Sequence, residues 1–445
     1  MPDRNSVAQQ RVVVVGGGWA GLSAAVELSH RGVPVTLLES AKQLGGRARC
    51  VQFGESRVDN GQHIMIGAYS ATLDLLKRLK LDQNQLVERQ SLLLKLLSPT
   101  ESPLEMRAAN LPAPLHLLGA LLTAKGVSIG DKLKTVLFMA RLNSRHFTLK
   151  KEQSVRDWLA AQPRRVVHGL WEPLCIATLN TPPENASARL FIRVLKEAFS
   201  GQRSNSDLLL PRTDLGTTIP EPAAHYIERH NGQVQLSRRV NELIIGQGRI
   251  LGVAIDEQMI PASHVILATP HTATAQLLQA HEGLNETANQ LVQIPTEPIC
   301  TIYLRYPEQT RLELPMIGLL DSVGQWVIDR RNCGQPGLLS VVISANGPHM
   351  DLSNCELADH VTAELKHHYP ELPEPLESLV IREKRATFAS NVGINAYRPA
   401  NRTTVEGLWL AGDYTDTGLP ATLEGAIRSG LQCAQDIAAE WPQQN

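Results

Sequence analysis

Residues 11–21 read Arg11-Val-Val-Val-Val-Gly16-Gly17-Gly18-Trp19-Ala20-Gly21, and this stretch decides the fold. Four consecutive valines predict a buried strand, because β-branched side chains suit the interior of a sheet. We predict that Gly16 permits the tight turn after this strand, that Gly18 lets the backbone approach a ligand, and that Gly21 lets the next helix lie close to the strand. Residues 22–30 fit that helix, and Gly32 stands where a helix commonly ends.

A second strand and an acid follow at the spacing of a dinucleotide-binding unit. Residues 33–39 read Val-Pro-Val-Thr-Leu-Leu-Glu, so Glu39 ends the strand. A carboxylate about 20 residues after the first glycine accepts a ribose 2′-hydroxyl, and an acid there disfavours a 2′-phosphate. The free amides and the positive dipole end of the helix favour a pyrophosphate. The order of these elements predicts a site for an adenine dinucleotide.

A second pair of glycines indicates which dinucleotide is bound. Residues 44–48 read Leu-Gly-Gly46-Arg47-Ala, and we expect them to bring backbone and an arginine back towards the phosphates. Arginine suits this role because its planar fork pairs with phosphate oxygens bidentately. A nicotinamide dehydrogenase does not need this segment, whereas a flavin held along its whole length does. A solvated Arg47 in a loop is the alternative.

The C-terminal region supplies a second part of the predicted site. Residues 407–413 read Gly-Leu-Trp-Leu-Ala-Gly412-Asp413, a strand that ends in Gly-Asp, and residues 419–430 open a final helix. We expect Asp413 to accept a hydrogen bond from a ribityl or phosphate-adjacent hydroxyl. The amides around Leu423 are expected to face the flavin pyrimidine, where reduction builds negative charge. The Glu424 side chain is expected to sit at the start of its own helix, stabilised by the helix dipole.

Together these segments resemble the FAD-dependent amine oxidase and phytoene desaturase superfamily over nearly the whole chain. Within it, further segments resemble the squalene-associated FAD-dependent desaturases, or hydroxysqualene dehydroxylases; they are residues 58–67 (Val-Asp-Asn-Gly-Gln-His-Ile-Met-Ile-Gly), 177–187, 384–388 and 409–420. The resemblance implies an α/β fold: a Rossmann-type FAD-binding domain of the amine oxidase and glutathione reductase-like kind, with an interleaved α+β substrate domain. It also implies that the Val240 backbone contacts the adenine and that Gly61 lies at the flavin. The FAD is expected to be non-covalent, because no cysteine is obviously placed to attach it.

The hydrophobic pattern predicts how the two domains alternate along the chain. We assign residues 1–93, 206–270 and 383–445 to the FAD-binding domain, and 94–205 and 271–382 to the substrate domain. Residues 94–205 look helical and rich in leucine, whereas 233–270 return to strands around a Gly-Gln-Gly turn. Strands are also expected near 300–306 and 338–344.

Composition excludes several classes of protein. The 445 residues exceed one ordinary domain, and a net charge of −1 gives no electrostatic reason to bind nucleic acid. The six cysteines are scattered without metal spacing, and His367-His368 has no partner ligands, so no metal site is predicted. The polar first residues do not resemble a signal peptide, and we expect a cytoplasmic protein. Peripheral contact with the inner face of the cytoplasmic membrane is the alternative.

One apolar stretch bears on the substrate. Between Arg107 and Lys125 no charged residue intervenes, and prolines at 112 and 114 interrupt the run. It is too short and too broken to span a membrane. It is either buried core or a surface patch through which a lipid reaches the site, and residues 136–142 extend such a patch.

The resemblance implies conversion of hydroxysqualene, a C30 isoprenoid, to squalene in squalene and hopanoid biosynthesis, with functional coupling to enzymes of the squalene and hydroxysqualene synthase type. Such a reaction needs a hydride from reduced flavin and a proton for the departing hydroxyl. Asp59 and His63 are the first candidates for the proton donor, because a histidine donates near neutral pH and burial raises the pKa of an aspartic acid. Both residues alternatively only hydrogen-bond the turn or the cofactor. Asp416 and Tyr414 are second candidates.

Other functions stay open on the sequence alone. A carotenoid-type desaturase has the same fingerprint, and the direction of hydride transfer is not encoded in it. An amine oxidase usually needs an aromatic cage near the flavin, for which Trp409 and Tyr414 are the candidates. A non-catalytic FAD-bound lipid scaffold is the non-enzymatic reading. Because no second glycine fingerprint occurs, we expect NAD(P)H bound in another way, or a separate reductase, to supply electrons.

Overall fold

A computed structural model describes residues 10–442 of the chain. The predicted FAD-binding domain includes residues 1–9 and 443–445 at its two ends, and these lie outside the described part. The described residues form mixed α/β architecture with two main sheets. The predicted fold class is confirmed.

The valine strand lies at the centre of a five-stranded parallel sheet. In spatial order, the strands are Gln233–Gln235, Val35–Leu38, Val12–Val15, His264–Leu267 and Leu408–Leu410. Val12 pairs with Val35 on one side and with His264 on the other, and all four residues of the strand are buried. Because the carboxyl ends of parallel strands meet at one edge, the segments that follow these strands come together there.

Helices cover this sheet and fix the glycine turn. The first helix begins at Trp19, directly after Gly18 and three residues earlier than predicted, and it packs against the last helix. The helices of this part are Trp19–His30, Ser70–Arg78, Gln83–Leu86, Leu215–Thr218, Pro220–Arg229 and Leu423–Glu440. Smaller sheets accompany them: Cys50–Phe53 with Ser56–Asp59; Met65–Ile66 and Val87–Gln90 on either side of Leu208–Pro211; and Glu242–Gly246, Arg249–Ile255 and Gln258–Pro261.

A seven-stranded, mostly antiparallel sheet forms the second part. Its spatial order is Glu377–Phe388, Thr296–Arg305, Leu338–Ser344, Trp326–Asp329, Met316–Leu319, Leu93–Leu97 and Leu104–Arg107. The strands expected near 300–306 and 338–344 are therefore present and are paired, with Ile302 opposite Val341.

Residues 94–205 are not wholly helical, because this region begins with two strands that complete the seven-stranded sheet. Its helices follow them. The helices outside the parallel-sheet part are Leu115–Thr123, Ile129–Ser144, Val155–Leu159, Arg164–Val166, Glu172–Leu179, Ala188–Phe199, His271–Gln279, Asn285–Val292 and Asn354–His368. The predicted domain boundaries stay a prediction, and those at 93/94 and 382/383 fall inside strands of the seven-stranded sheet.

Candidate active site

The three fingerprint glycines differ in what surrounds them. Gly16 has φ +111°, and a Cβ there would lie 2.6 Å from the Ala268 carbonyl oxygen. A Cβ on Gly21 would lie 1.9 Å from the Gly16 oxygen, so the helix start and the turn touch. At Gly18 a Cβ would meet no protein atom within 4 Å. Packing therefore explains the absence of a side chain at Gly16 and Gly21, while the open space at Gly18 fits a ligand that approaches the backbone.

Glu39 closes the loop around this open space. Its Oε2 accepts the Gly17 amide at 2.6 Å, and its Oε1 accepts the Ala41 amide at 2.7 Å. These bonds hold the carboxylate at the carboxyl end of its strand, next to the glycine turn. The position fits the predicted contact with the adenosine ribose.

The second glycine pair folds back onto the first, as predicted. The Gly45 amide donates to the Gly17 oxygen at 2.9 Å, and a Cβ on Gly46 would lie 3.2 Å from the Gly18 Cα. Gly46 has φ +61°, which favours glycine. These contacts place Arg47, the next residue, beside the dinucleotide loop.

The Arg47 guanidinium is hydrogen-bonded within the protein and is not a solvated side chain in a loop. Its Nη2 donates to Asp413 Oδ1 at 2.7 Å, and its Nη1 donates to the Ala386 carbonyl at 2.7 Å. Two of the predicted cofactor residues, 366 positions apart in sequence, therefore form one ion pair. The guanidinium joins the two ends of the FAD-binding domain and orients the Asp413 carboxylate.

Arg398, which the sequence did not single out, holds the Gly-Asp segment from behind. Its Nη2 donates to the carbonyls of Asp413 and Thr415, at 3.1 and 2.5 Å, and its guanidinium lies 4.8 Å from the centre of the Phe388 ring. Burial lowers the pKa of Arg398 to about 10, so the side chain stays charged at neutral pH.

One large cavity joins these segments. It has a volume of about 1390 Å³, above the usual range for a single small ligand, and so has room for a cofactor and a substrate. Every predicted cofactor residue lines it except Gly21, which packs against the turn; the lining members are Gly16, Gly18, Glu39, Gly46, Arg47, Gly61, Val240, Gly412, Asp413 and Leu423. None of the six cysteines, all in the described part of the chain, lines the cavity.

These residues fit a bound FAD. The glycine loop and the helix start would hold the pyrophosphate, Glu39 the ribose, and Val240 the adenine. Asp413 would accept the ribityl hydroxyl. At the other end of the cavity, Leu423 begins the last helix. The first backbone amides of a helix have no acceptor within that helix, so they remain available to a ligand. These individual assignments stay predictions.

Glu424 differs from its expected role. Its carboxylate accepts the amides of Ala71 and Thr72, both at 3.0 Å, at the start of a different helix, and it also binds Arg428. The helix dipole that stabilises this carboxylate therefore belongs to Ser70–Arg78. The contact fixes the last helix against the segment that follows the predicted catalytic loop.

Asp59 does not lie where a proton donor is needed. It is wholly buried and does not line the cavity. Its Oδ2 accepts a hydrogen bond from Arg330 Nη1 at 3.1 Å, and its Oδ1 accepts one from the Leu215 amide at 2.7 Å. Arg330 is also wholly buried and donates to Gln335 and Gln62. Its place in a buried ion pair, away from the cavity wall, favours a structural role for Asp59 over the predicted catalytic one.

His63 does line the cavity. Its Nδ1 lies 2.6 Å from the Gly61 carbonyl oxygen, so that nitrogen carries the hydrogen and donates. Nε2 is therefore the ring nitrogen left for a substrate. Burial lowers the pKa of His63 below 6.5, partly opposed by the bond to Gly61. The ring is therefore mainly neutral at pH 7, and the share of molecules with a transferable proton on it grows as the pH falls.

The second candidates for the proton donor, Asp416 and Tyr414, differ in their position relative to the cavity. Asp416 is exposed and does not line the cavity, so its predicted role as an acid is corrected. Tyr414 lines the cavity and its hydroxyl bonds Thr274, while burial raises its pKa and holds it protonated. Trp409 is buried within the parallel-sheet part and does not line the cavity, which removes it from any aromatic cage.

Two further polar residues line the cavity beside His63. Asn60 Nδ2 donates to the Glu383 carboxylate at 3.2 Å and to the Arg47 carbonyl at 3.3 Å. Asn60 belonged to a segment already recognised, but Glu383 had no sequence signal, because it lies in a long strand 323 residues away. Glu383 is thus a titratable side chain of the cavity wall, bound to a neighbour in sequence of the predicted catalytic loop.

The rest of the cavity wall is mainly apolar and comes from the seven-stranded sheet and its helices. It includes Leu94, Met106, Leu117, Leu121, Leu170, Trp171, Leu174, Phe191, Met316, Ile328 and Val342. Such a chamber suits a long hydrocarbon and excludes water. One cavity thus unites a dinucleotide loop, a partly buried histidine and a wall suited to a lipid.

Comparisons with known proteins agree with this geometry. The sequence profile of the family "Flavin containing amine oxidoreductase" matches residues 19–438. The hydroxysqualene dehydroxylase of Rhodopseudomonas palustris is 26% identical over 437 residues, covering 96% of this chain and 98% of the relative. A zeta-carotene desaturase of Arabidopsis thaliana is 23% identical, over 96% of this chain and 85% of that protein.

Solved structures share the fold. A putative protoporphyrinogen oxidase from Exiguobacterium has a TM-score of 0.71 at 18% identity, over 97% of this chain and 99% of the other. Because the profile covers nearly the whole chain, with the glycine loop, Glu39, Arg47 and Asp413 around one cavity, this chain belongs to the flavin containing amine oxidoreductase family and is an FAD-dependent oxidoreductase.

Proposed function

We propose that the protein replaces the hydroxyl of hydroxysqualene by hydrogen and releases squalene, within squalene or hopanoid biosynthesis. The observation that carries this proposal is the single cavity in which the dinucleotide loop, His63 and a long apolar wall meet. The similarity to a hydroxysqualene dehydroxylase over almost the full length of both chains supports the choice of substrate.

The reaction needs a hydride, a proton and a dry site. A bound, reduced flavin supplies the hydride to the carbon that loses its hydroxyl. The protein supplies the rest: the apolar wall orients the chain and excludes water, and a proton donor lets the hydroxyl leave as water. We assign that donor to protonated His63, through Nε2, because Nδ1 is committed to Gly61.

The electron source is proposed to be external, either NAD(P)H or a separate reductase. The sequence has one glycine fingerprint, and its loop is shaped for the FAD. Functional coupling to enzymes of the squalene and hydroxysqualene synthase type is part of the same proposal.

An anaerobic single turnover tests the reaction. Dithionite-reduced protein is mixed with hydroxysqualene, the flavin absorbance is followed, and the lipid is extracted. We expect the flavin to reoxidise with one squalene formed per flavin. A flavin that stays reduced, with the substrate unchanged, refutes the proposal. Turnover of the oxidised protein with a more saturated isoprenoid then establishes the desaturase, which the similarity to zeta-carotene desaturase favours as the second candidate.

Replacing the histidine tests the proton donor. We expect His63→Ala to keep its flavin and to lose about 100-fold or more in kcat, a usual effect of removing a general acid. Because burial lowers the pKa of His63, the acid form grows as the pH falls below 6.5, so wild-type kcat should rise on acidification. His63→Ala should lack this rise, while Glu383→Gln should keep it. A pH profile unchanged in His63→Ala assigns the proton to another group.

A further inference from the structure

The helix pair Leu115–Thr123 and Ile129–Ser144 carries an apolar surface that residues 10–442 do not cover. Six large apolar side chains of this region are between 44% and 76% exposed: Leu111, Leu115, Leu122, Ile129, Leu133 and Leu137. We call these six residues the apolar crest. No other stretch of similar length in the described chain exposes as many large apolar side chains.

The spacing of these residues gives each helix one exposed row. Leu115 and Leu122 are seven positions apart, which returns to the same side of a helix, and Ile129, Leu133 and Leu137 follow at intervals of four. The two helices pack against each other and are joined by residues 124–128. The apolar stretch between Arg107 and Lys125 is therefore both core and surface, because one face of its helix is buried and another is exposed.

A different side of the first helix lines the large cavity. Leu117 and Leu121 are buried and belong to the cavity wall, and they lie between about 100° and 160° around the helix from Leu115 and Leu122. A single helix therefore separates the apolar chamber from the exterior at the crest. A lipid in contact with the crest would lie across this helix from the chamber.

The segment that carries the apolar crest is strongly basic. From Arg107 to Lys151, both included, the chain has eight lysines and arginines and one acid, Asp131, although the whole chain is nearly neutral. Of these cations only Lys125 forms an ion pair within residues 10–442. Unpaired cations around an apolar helix face are typical of surfaces that bind anionic lipids.

We propose that the apolar crest and its basic surroundings dock the protein on the surface of an anionic lipid bilayer, with helix Leu115–Thr123 as the wall between bilayer and cavity. A second copy of the chain is a poorer occupant, because a symmetric dimer would place the same cations against each other. Among the described residues no helix is long and apolar enough to cross a membrane, and the proposed contact is peripheral. The proposal does not depend on which lipid reacts in the cavity.

Vesicle sedimentation with the holoenzyme tests the docking. The probes are vesicles of phosphatidylcholine alone and of phosphatidylcholine mixed with about 30% phosphatidylglycerol, an anionic lipid that attracts basic surfaces. We expect binding to the anionic vesicles at least about tenfold stronger, and weakened by 0.5 M salt, because screening shortens the reach of the charges. Equal binding to both vesicles, or none, overturns the proposal.

Double variants test whether vesicle binding depends on the apolar crest or on exposed apolar residues in general. Leu133→Gln/Leu137→Gln should reduce vesicle binding at least about tenfold, and Lys132→Gln/Lys134→Gln should reduce it mainly at low salt. The control is Val292→Gln/Leu376→Gln, which alters two equally exposed apolar residues elsewhere and should bind as the wild type does. Flavin content and circular dichroism should be unchanged in all three.

Two outcomes go against the crest as a lipid surface. Vesicle binding that survives in Leu133→Gln/Leu137→Gln refutes it. A wild-type dimer in gel filtration that this double variant converts to a monomer, without vesicle binding by either, shows a subunit interface instead. Because sedimentation needs no turnover, a failure of the hydroxysqualene assay leaves this test intact.

Discussion

Gly18→Val should give a folded protein that no longer retains FAD. A side chain there would point into space free of protein atoms, and Gly18 has φ −75°, which any residue adopts. The unfolding free energy of the apoprotein should therefore change by less than about 0.5 kcal/mol. The new side chain would occupy the place where the backbone approaches the pyrophosphate. We expect FAD affinity to fall at least about 100-fold, or about 2.8 kcal/mol.

Flavin absorbance per protein after gel filtration measures this loss, and thermal unfolding of the apoprotein measures the fold. Gly283→Val is the matched control, because a Cβ there also meets no protein atom within 4 Å, yet the residue lies away from the cavity. Gly21→Val should behave in the opposite way and fail to fold, since its Cβ would clash with the Gly16 oxygen. Full flavin content in Gly18→Val would contradict the assigned dinucleotide loop.

Arg330→Met should destabilise the protein by about 3 to 5 kcal/mol, because it leaves the buried Asp59 carboxylate without its cation. The loss should appear as a lower urea midpoint with an unchanged dependence on urea concentration. The reason is desolvation: an unpaired charge inside the protein costs more than the ion pair contributes.

The double variant Arg330→Met/Asp59→Asn should recover part of this loss. Asparagine removes the charge, and its carbonyl oxygen still accepts the Leu215 amide. Lys77→Met is the control, because it breaks an exposed pair with Asp74 and should barely change the midpoint. If Asp59→Asn alone folds as the wild type does and only loses turnover, Asp59 acts in the chemistry and the structural role assigned to it is wrong.

The sequence determined the elements whose chemistry is local. The valine strand, the glycine turn, the helix and Glu39 lie within 29 residues, and each imposes its own geometry on the chain: β-branched residues favour a strand, and Gly16 adopts a positive φ. The final helix and the hairpins around residues 242–261 follow from similar local patterns. The start of the first helix was misplaced by three residues, because helix ends depend weakly on composition.

Tertiary structure alone decided what the polar side chains do. Arg330 pairs with Asp59 across 271 positions, so the carboxylate predicted as a proton donor lies in a buried ion pair. Glu383 reaches Asn60 across 323 positions, and Arg47 is committed to Asp413. Whether a carboxylate gives a proton, caps a helix or balances a cation depends on its neighbours and its exposure to water. Those neighbours come from distant segments, so the spacing of residues along the chain does not encode them.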